Sequence, residues 1–207
     1  VQSMMMIIPV LAFSVNQHLT MRGHFKTMYY SPTLRFIVLG AMMYTVSSIE
    51  GSFEALRSVS TVAHFTHFTV AHAHIGLYAF FSIVMFGAIY FVMPRIMNWE
   101  WPHPRLIAVH FWLVVSGISI YAISLSIGGW LQGLAMLDIT KPFMESVLVT
   151  LPYLQARSVG GTLMTLGHLV FALHFSQMAL RYGRHRVGPA LLHERGRTPE
   201  LQAATGV

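Results

Sequence analysis

Apolar residues fall into five segments separated by shorter polar stretches: Met4 to Val15, Leu34 to Ile49, Phe68 to Met93, Leu106 to about Leu134, and about Gly160 to Leu180. The runs are continuous and lack the period-two alternation of barrel strands, so they predict helices. A membrane-spanning helix needs ~20 mostly apolar residues. The last three segments reach that length, the second reaches it with its flanks, and the first is short. Only helices and closed barrels satisfy their backbone within lipid. The expected fold is therefore all-α: a polytopic transmembrane bundle of about five helices over 1–182, followed by a polar tail over 183–207. The first run is already under way at Val1 with no basic region before it. It does not read as a signal peptide. It reads as the back half of a helix, and the chain as a fragment or one piece of a larger membrane unit. No internal repeat is found.

Composition narrows the class. Hydrophobic residues make up 55% and charged residues 10%, too few charges for a water-facing surface and too much apolar content for disorder. The absence of cysteine removes disulfides, iron–sulfur clusters, zinc ribbons and thiol nucleophiles. A net charge of +6 could point to nucleic acid. The basic residues form no amphipathic stripe, however, and sit between apolar runs and in the tail, so no nucleic-acid partner is expected. Alternating the helices puts Arg22, Lys26, Arg35, Arg95, Arg105, Arg181, Arg184, Arg186, Arg195 and Arg197 on one side. Only Arg57, Lys141 and Arg157 fall on the other. The richer side is cytoplasmic by the positive-inside rule, which places the C-terminal tail inside. The loops from Glu50 to His67 and from Gln132 to Arg157 then face outward, toward the periplasm in a Gram-negative host.

The chemistry concentrates in His64 to His74, HFTHFTVAHAH, four histidines in eleven residues at the start of the third segment. Histidine is the commonest metal ligand and is costly inside a membrane. One such histidine is often only a packing residue; an HxH pair with two more upstream favours a functional site. Helix residues advance ~100° each, so His72 and His74 project ~200° apart. They cannot grip one metal together, but each can hold a separate cofactor on its own side of the helix. That geometry suits two haems flanking one helix.

This stretch, with IGLYAFFSIVMFGAIYFVMPRI after it, resembles the tenth helix of the catalytic subunit of haem–copper oxidases. NQHLTMRGHF and SPTLRF (Asn16 to Phe25, Ser31 to Phe36) resemble the loop after the eighth helix of the C-family, or cbb-type, cytochrome c oxidases. SSIEGSFEALRSVS (Ser47 to Ser60) resembles the end of their ninth helix, and Val109 to Leu134 the eleventh. FMESV and RSVGGTLM (Phe143 to Val147, Arg157 to Met164) resemble the approach to the twelfth. The resemblance covers about Met4 to Arg181.

By this resemblance His72 is the proximal ligand of a high-spin haem and His74 an axial ligand of a low-spin haem, both haems b-type. Glu50 matches the family's carboxylate that accepts a hydrogen bond from the proximal histidine. His64 matches a histidine near the haem propionates, and Arg57 is a candidate partner for propionate charge. Glu54 has the weaker case and reads as solvated or structural. His67 departs from the cbb-type pattern and receives no role. His110, His168 and His174 read as packing or interfacial residues. The family's copper ligands, its cross-linked tyrosine and the second low-spin ligand come from earlier helices, so this chain offers no copper ligand. The resemblance implies several partners: an N-terminal half of the catalytic subunit, membrane-anchored c-type cytochrome subunits, and cytochrome c or a similar donor. It implies the lipid bilayer of a bacterial inner membrane around them. The function expected is the C-terminal portion of a respiratory oxidase reducing oxygen to water. Nitric oxide reductase is the near alternative, since FTVAHAHIGLY suits it too, although the eleventh-helix and ESV motifs lean toward the oxidase. A non-catalytic scaffold or transporter is the alternative from another class.

Overall fold

Lipid offers a backbone no hydrogen-bond partner, and the chain responds with helix over nearly its whole length. The computed structural model describes the backbone of residues 2–205 and the side chains of residues 2–183. Most side chains of the expected tail lie outside the described residues. No strand occurs among the residues described. Among the described residues, five helical stretches are long and apolar enough to span a membrane: Gln2–Met21, Pro32–Glu54, His67–Met97, Pro104–Leu137 and Phe143–Gly183, called the first to fifth spans below. The backbone of the fifth continues as helix to Thr205. Short helices, Thr27–Tyr30 and Arg57–Ala63, occupy the connections flanking the second span.

Two boundaries differ from the sequence reading, for the same physical reason. The first span reaches 20 residues, because the polar groups at its end find partners on the second. Ser14 and Thr45 pair their hydroxyls at 2.5 Å, and the Gln17 amide donates to the Val38 carbonyl at 3.1 Å. The fifth span starts at Phe143 rather than near Gly160, so only residues 138–142 separate it from the fourth. The hydroxyls of Ser146 and Thr150 donate back to the Phe143 and Val147 carbonyls, each at 2.7 Å. Hydropathy falls there, but the helix keeps its polar groups satisfied. In the connection, Asp138 accepts from the Thr140 hydroxyl at 2.6 Å and from its N–H at 3.0 Å. Those two bonds hold the Asp138 carboxyl below its ordinary range.

Small residues set how closely the helices approach. Gly129 and Gly133, one turn apart on the fourth span, lie directly against backbone. A Cβ on Gly129 would overlap the Phe68 amide, and one on Gly133 the Val62 carbonyl. The start of the third span and the short helix before it are thus pressed onto the fourth, one turn ahead of His72. A polar tie lies beside this contact: Gln132 Oε1 accepts from the His67 N–H at 3.0 Å and pairs with His67 Nδ1 at 2.7 Å. His67, without a role from the sequence, therefore anchors the start of the third span. Gln132→Leu is expected to cost about 1 kcal/mol, read as a lowered melting temperature of the assembled protein with its composition unchanged.

The densest core lies toward the end of the bundle that carries Arg95 and Arg105, where Phe36, Tyr90, Phe111, Trp101 and Met178 are buried. On the outer faces of the spans Leu77, Trp112 and Leu173 remain 70%, 61% and 65% exposed. Such large apolar groups in the middle of spans need lipid or further helices against them.

Candidate functional site

The third span begins just after a reversal. Helix Arg57–Ala63 ends, Phe65 takes a left-handed conformation (φ +61°), and Thr66 starts the next helix by accepting from the Phe68 N–H at 3.2 Å. The backbone passes from α-helical geometry over His67–His74 to a wider π-helical stretch over Ile75–Ser82. Stretches of this kind often accompany functional sites. This one starts directly after His74, and nothing in the residue pattern announced it.

His72 and His74 turn to different neighbours. His72 faces the second span, with Nδ1 3.4 Å from Glu50 Oε2 across a sequence separation of 22 residues. Both side chains are largely sheltered, at 27% and 19% exposure. His74 faces the fourth span: its ring lies 4.7 Å from that of Tyr121, and Nε2 is 3.3 Å from the Tyr121 hydroxyl. His74 Nδ1 lies 2.8 Å from the Val70 carbonyl. The two imidazoles thus sit on opposite sides of one helix.

Each ring is prepared in the same sense. A carbonyl can only accept, so His74 Nδ1 carries the proton and its lone pair is left at Nε2. A carboxylate at Nδ1 of His72 does the same for that ring. Gly51 follows Glu50, and a Cβ there would come within 2.9 Å of His72 Cε1 and 3.1 Å of Nε2. Glycine there lets the second span approach the ring without a side-chain clash. At His74 the Tyr121 hydroxyl is a long contact that an iron bond would replace. These donor sets fit haem iron, with one neutral imidazole per metal and Nδ1 oriented by an acceptor.

The remaining candidates lie at the end of the second span and in the connection after it. Glu54, one turn beyond Glu50, accepts from the Thr69 hydroxyl at 2.6 Å, a tie between the second and third spans. Arg57 and His64 line one open depression with Ser60 and Thr61. A cleft of about 480 Å³ next to Glu50 is walled by Val46, Ile49, Phe53 and Phe68. Sequence reasoning missed Gly51, Tyr121 and Gln132. The GWLQG spacing of Gly129 and Gly133 was the one signal available for the close helix contact.

The fold is that of a multi-pass membrane helix bundle, and comparison with known proteins gives it a family. The family model described as Cytochrome C and Quinol oxidase polypeptide I matches residues 1–163. The chain belongs to this family. Among relatives, it is 32% identical over 179 residues to the Cbb3-type cytochrome c oxidase subunit CcoN1 of Stutzerimonas stutzeri, covering 83% of this chain and 38% of that protein. It is 27% identical over 213 residues to a cytochrome c oxidase subunit 1 homolog of Agrobacterium tumefaciens (strain T37), covering 98% and 38%. The chain therefore spans well under half the length of these relatives. A solved heme-copper terminal oxidase dimer matches 72% of this chain and 27% of its own, with a TM-score of 0.60 and 19% identity. At that identity the likeness shows the fold. Family membership implies haem and copper as cofactors, and five apolar spans make the chain part of a multi-pass membrane protein.

Proposed function

We propose that the chain is the C-terminal portion of the catalytic subunit of a cbb-like respiratory oxidase. In this reading His72 is the proximal ligand of the high-spin haem and His74 an axial ligand of the low-spin haem. The observation that carries it is the pair of oriented imidazoles on opposite sides of the third span, one of them held by Glu50. When bound, the b-type haems and a copper held by residues of the rest of the subunit supply electron transfer and the reduction of oxygen to water. The chain's own residues hold and tune. Glu50 fixes the His72 ring and strengthens its Nε2 as a donor. The Val70 carbonyl fixes the His74 ring. Arg57 and His64 receive the propionates at the outer face. The partners are the N-terminal half of the subunit, anchored c-type cytochromes and a cytochrome c-like donor. The membrane is the bacterial inner membrane, with the end bearing Arg95, Arg105 and Arg181 in the cytoplasm.

Copper found in the purified complex supports the oxidase reading. Non-haem iron in its place would make the chain part of a nitric oxide reductase. A more local prediction concerns Glu50. A carboxylate on the imidazole N–H pushes electron density to iron and favours its oxidised state. Glu50→Gln keeps an acceptor and removes the charge. The potential of the high-spin haem is expected to rise and turnover to fall by about tenfold to a hundredfold, with haem content unchanged. Glu54→Gln should do far less. Redox titration of the two variants checks this, and an unmoved potential in Glu50→Gln would remove Glu50 from the chemistry.

A further inference from the structure

Toward the Arg95 end of the bundle, an open cleft of about 1060 Å³ lies between the connection after the first span, the second span and the fourth. Its charged members are Lys26 and Arg35, and no acidic residue lines it. Leu39 and Met42, one and two turns beyond Arg35 on the second span, continue its wall, and Phe111 and Trp112 of the fourth span complete it. A rise of about 1.5 Å per residue puts Met42 roughly 10 Å deeper than Arg35. The cleft is thus cationic at its mouth and apolar below. Phe25 and Met42 also wall a second trough, of about 310 Å³, between the first and second spans. Polar groups along that trough are already paired, Ser14 with Thr45 and Gln17 with the Val38 carbonyl.

Arg35 stands in the first turn of the second span, which opens at Pro32 behind Ser31. A helix N-terminus carries positive partial charge, so a cation is ordinarily disfavoured there. The Arg35 guanidinium donates to the Met28 carbonyl at 2.7 Å and the Tyr29 carbonyl at 2.5 Å. It has five N–H donors, and those two bonds leave others for an anion. Lys26 is exposed, and neither cation joins an ion pair among the described residues. Two basic side chains and one helix end therefore gather positive charge over an apolar floor. Tyr29 and Tyr30, 78% and 82% exposed, stand beside them, as aromatic residues do at a membrane–water interface. An apolar helix laid into the cleft would set its side chains against Lys26 and Arg35. A small anion would leave Leu39, Met42 and Trp112 uncovered. A phospholipid with an anionic head supplies both halves in the right order.

We propose that this cleft binds an anionic diacyl phospholipid. Its phosphodiester accepts from Lys26 and Arg35. One acyl chain runs along Leu39, Met42 and Trp112, and the other crosses Phe25 and Met42 into the second trough. The inference goes beyond the oxidase reading and needs only that the spans cross a bilayer. The bound lipid links the connection after the first span to the fourth span. Its consequence is stability of the assembled protein, since a ligand held by the folded state alone stabilises that state.

The test uses the complete complex, purified in detergent and stripped of lipid. It is titrated with phosphatidylglycerol, with phosphatidylcholine of the same chains, and with inorganic phosphate. Native mass spectrometry counts bound lipid, the melting temperature is recorded, and a photoactivatable phosphatidylglycerol locates it. Phosphatidylglycerol should bind at least about tenfold more tightly than phosphatidylcholine, raise the melting temperature, and label peptides containing Leu39 or Trp112. Lys26→Gln should weaken phosphatidylglycerol binding about fivefold and leave phosphatidylcholine unchanged. Leu39→Trp, which fills the apolar floor, should weaken both. Arg95→Gln removes the same charge outside the cleft and should change neither. Arg35→Gln would also release the Met28 and Tyr29 carbonyls, so Lys26→Gln and Leu39→Trp decide. Equal binding of the two lipids, or an unchanged affinity in Lys26→Gln, would overturn the proposal. Inorganic phosphate that displaces the lipid and reproduces the rise in melting temperature would make this a phosphate site. Cross-links at Leu39 to another polypeptide in place of lipid would make it a protein interface. Either result overturns the lipid. A wild-type complex without haem would sink the oxidase reading and leave this binding result standing.

Discussion

His74→Ala is expected to abolish the low-spin haem signal of the assembled complex and leave a residual high-spin pigment; His72→Ala is expected to do the reverse. The asymmetry follows from geometry. His72 is held at Nδ1 by Glu50 of the second span, and His74 meets Tyr121 of the fourth. Two imidazoles facing away from one another cannot replace each other, so each loss is confined to one side of the helix. A low-spin haem needs a strong ligand on both faces of the iron, and removing His74 leaves one face without protein nitrogen. Reduced-minus-oxidised spectra of the two variants, normalised to protein, measure this directly. Persistence of both signals in both variants would refute the assignment. Equal loss of both signals in each variant would indicate one shared site, which the opposed rings do not allow.

The second large effect is expected at a residue with no side chain to bind anything. Gly129→Ala should reduce the yield of haem-loaded complex at least about tenfold. Its Cβ would fall on the Phe68 amide, and backbone cannot step aside as a side chain can. Overpacking of side chains already costs about 1–3 kcal/mol, so displacing a helix start lies at or beyond that upper end. The displaced backbone lies at the start of the span that carries His72 and His74. Gly161→Ala is the matched control: it makes the same chemical change where a Cβ meets nothing within 4 Å. Haem per milligram of membrane protein should fall in the first variant and stay level in the second. Equal yields would show that the third and fourth spans tolerate a wider separation than the structure implies.

What was legible in the sequence was whatever a helix fixes locally. Hydropathy located the spans, and the ~100° step of the helix placed His72 and His74 on opposite sides before any neighbour was known. The pairing of Glu50 with His72, 22 residues apart, was legible only through the family resemblance, because nothing in one helix's periodicity names its partner on another. The boundaries failed where polar residues lowered the hydropathy yet were satisfied, on a neighbouring span in one case and on their own helix in the other. Thr45 and Val38 carry the first span to Met21, and the hydroxyls of Ser146 and Thr150 turn back on their own helix. The contacts of His67, His110 and His174 are with Gln132, Tyr90 and the backbone of His103. Those contacts are tertiary, and periodicity along one helix carries no trace of them.

The measurement that tests the central claim most directly is an electron-density map of the complete complex purified from its membrane. The account predicts one haem on each side of the third span, with iron bonded to Nε2 of His72 on one side and to Nε2 of His74 on the other. Glu50 should remain at His72 Nδ1, and the Tyr121 hydroxyl should be moved off His74 Nε2. A map in which either imidazole faces no haem, or in which both turn to the same haem, would contradict it.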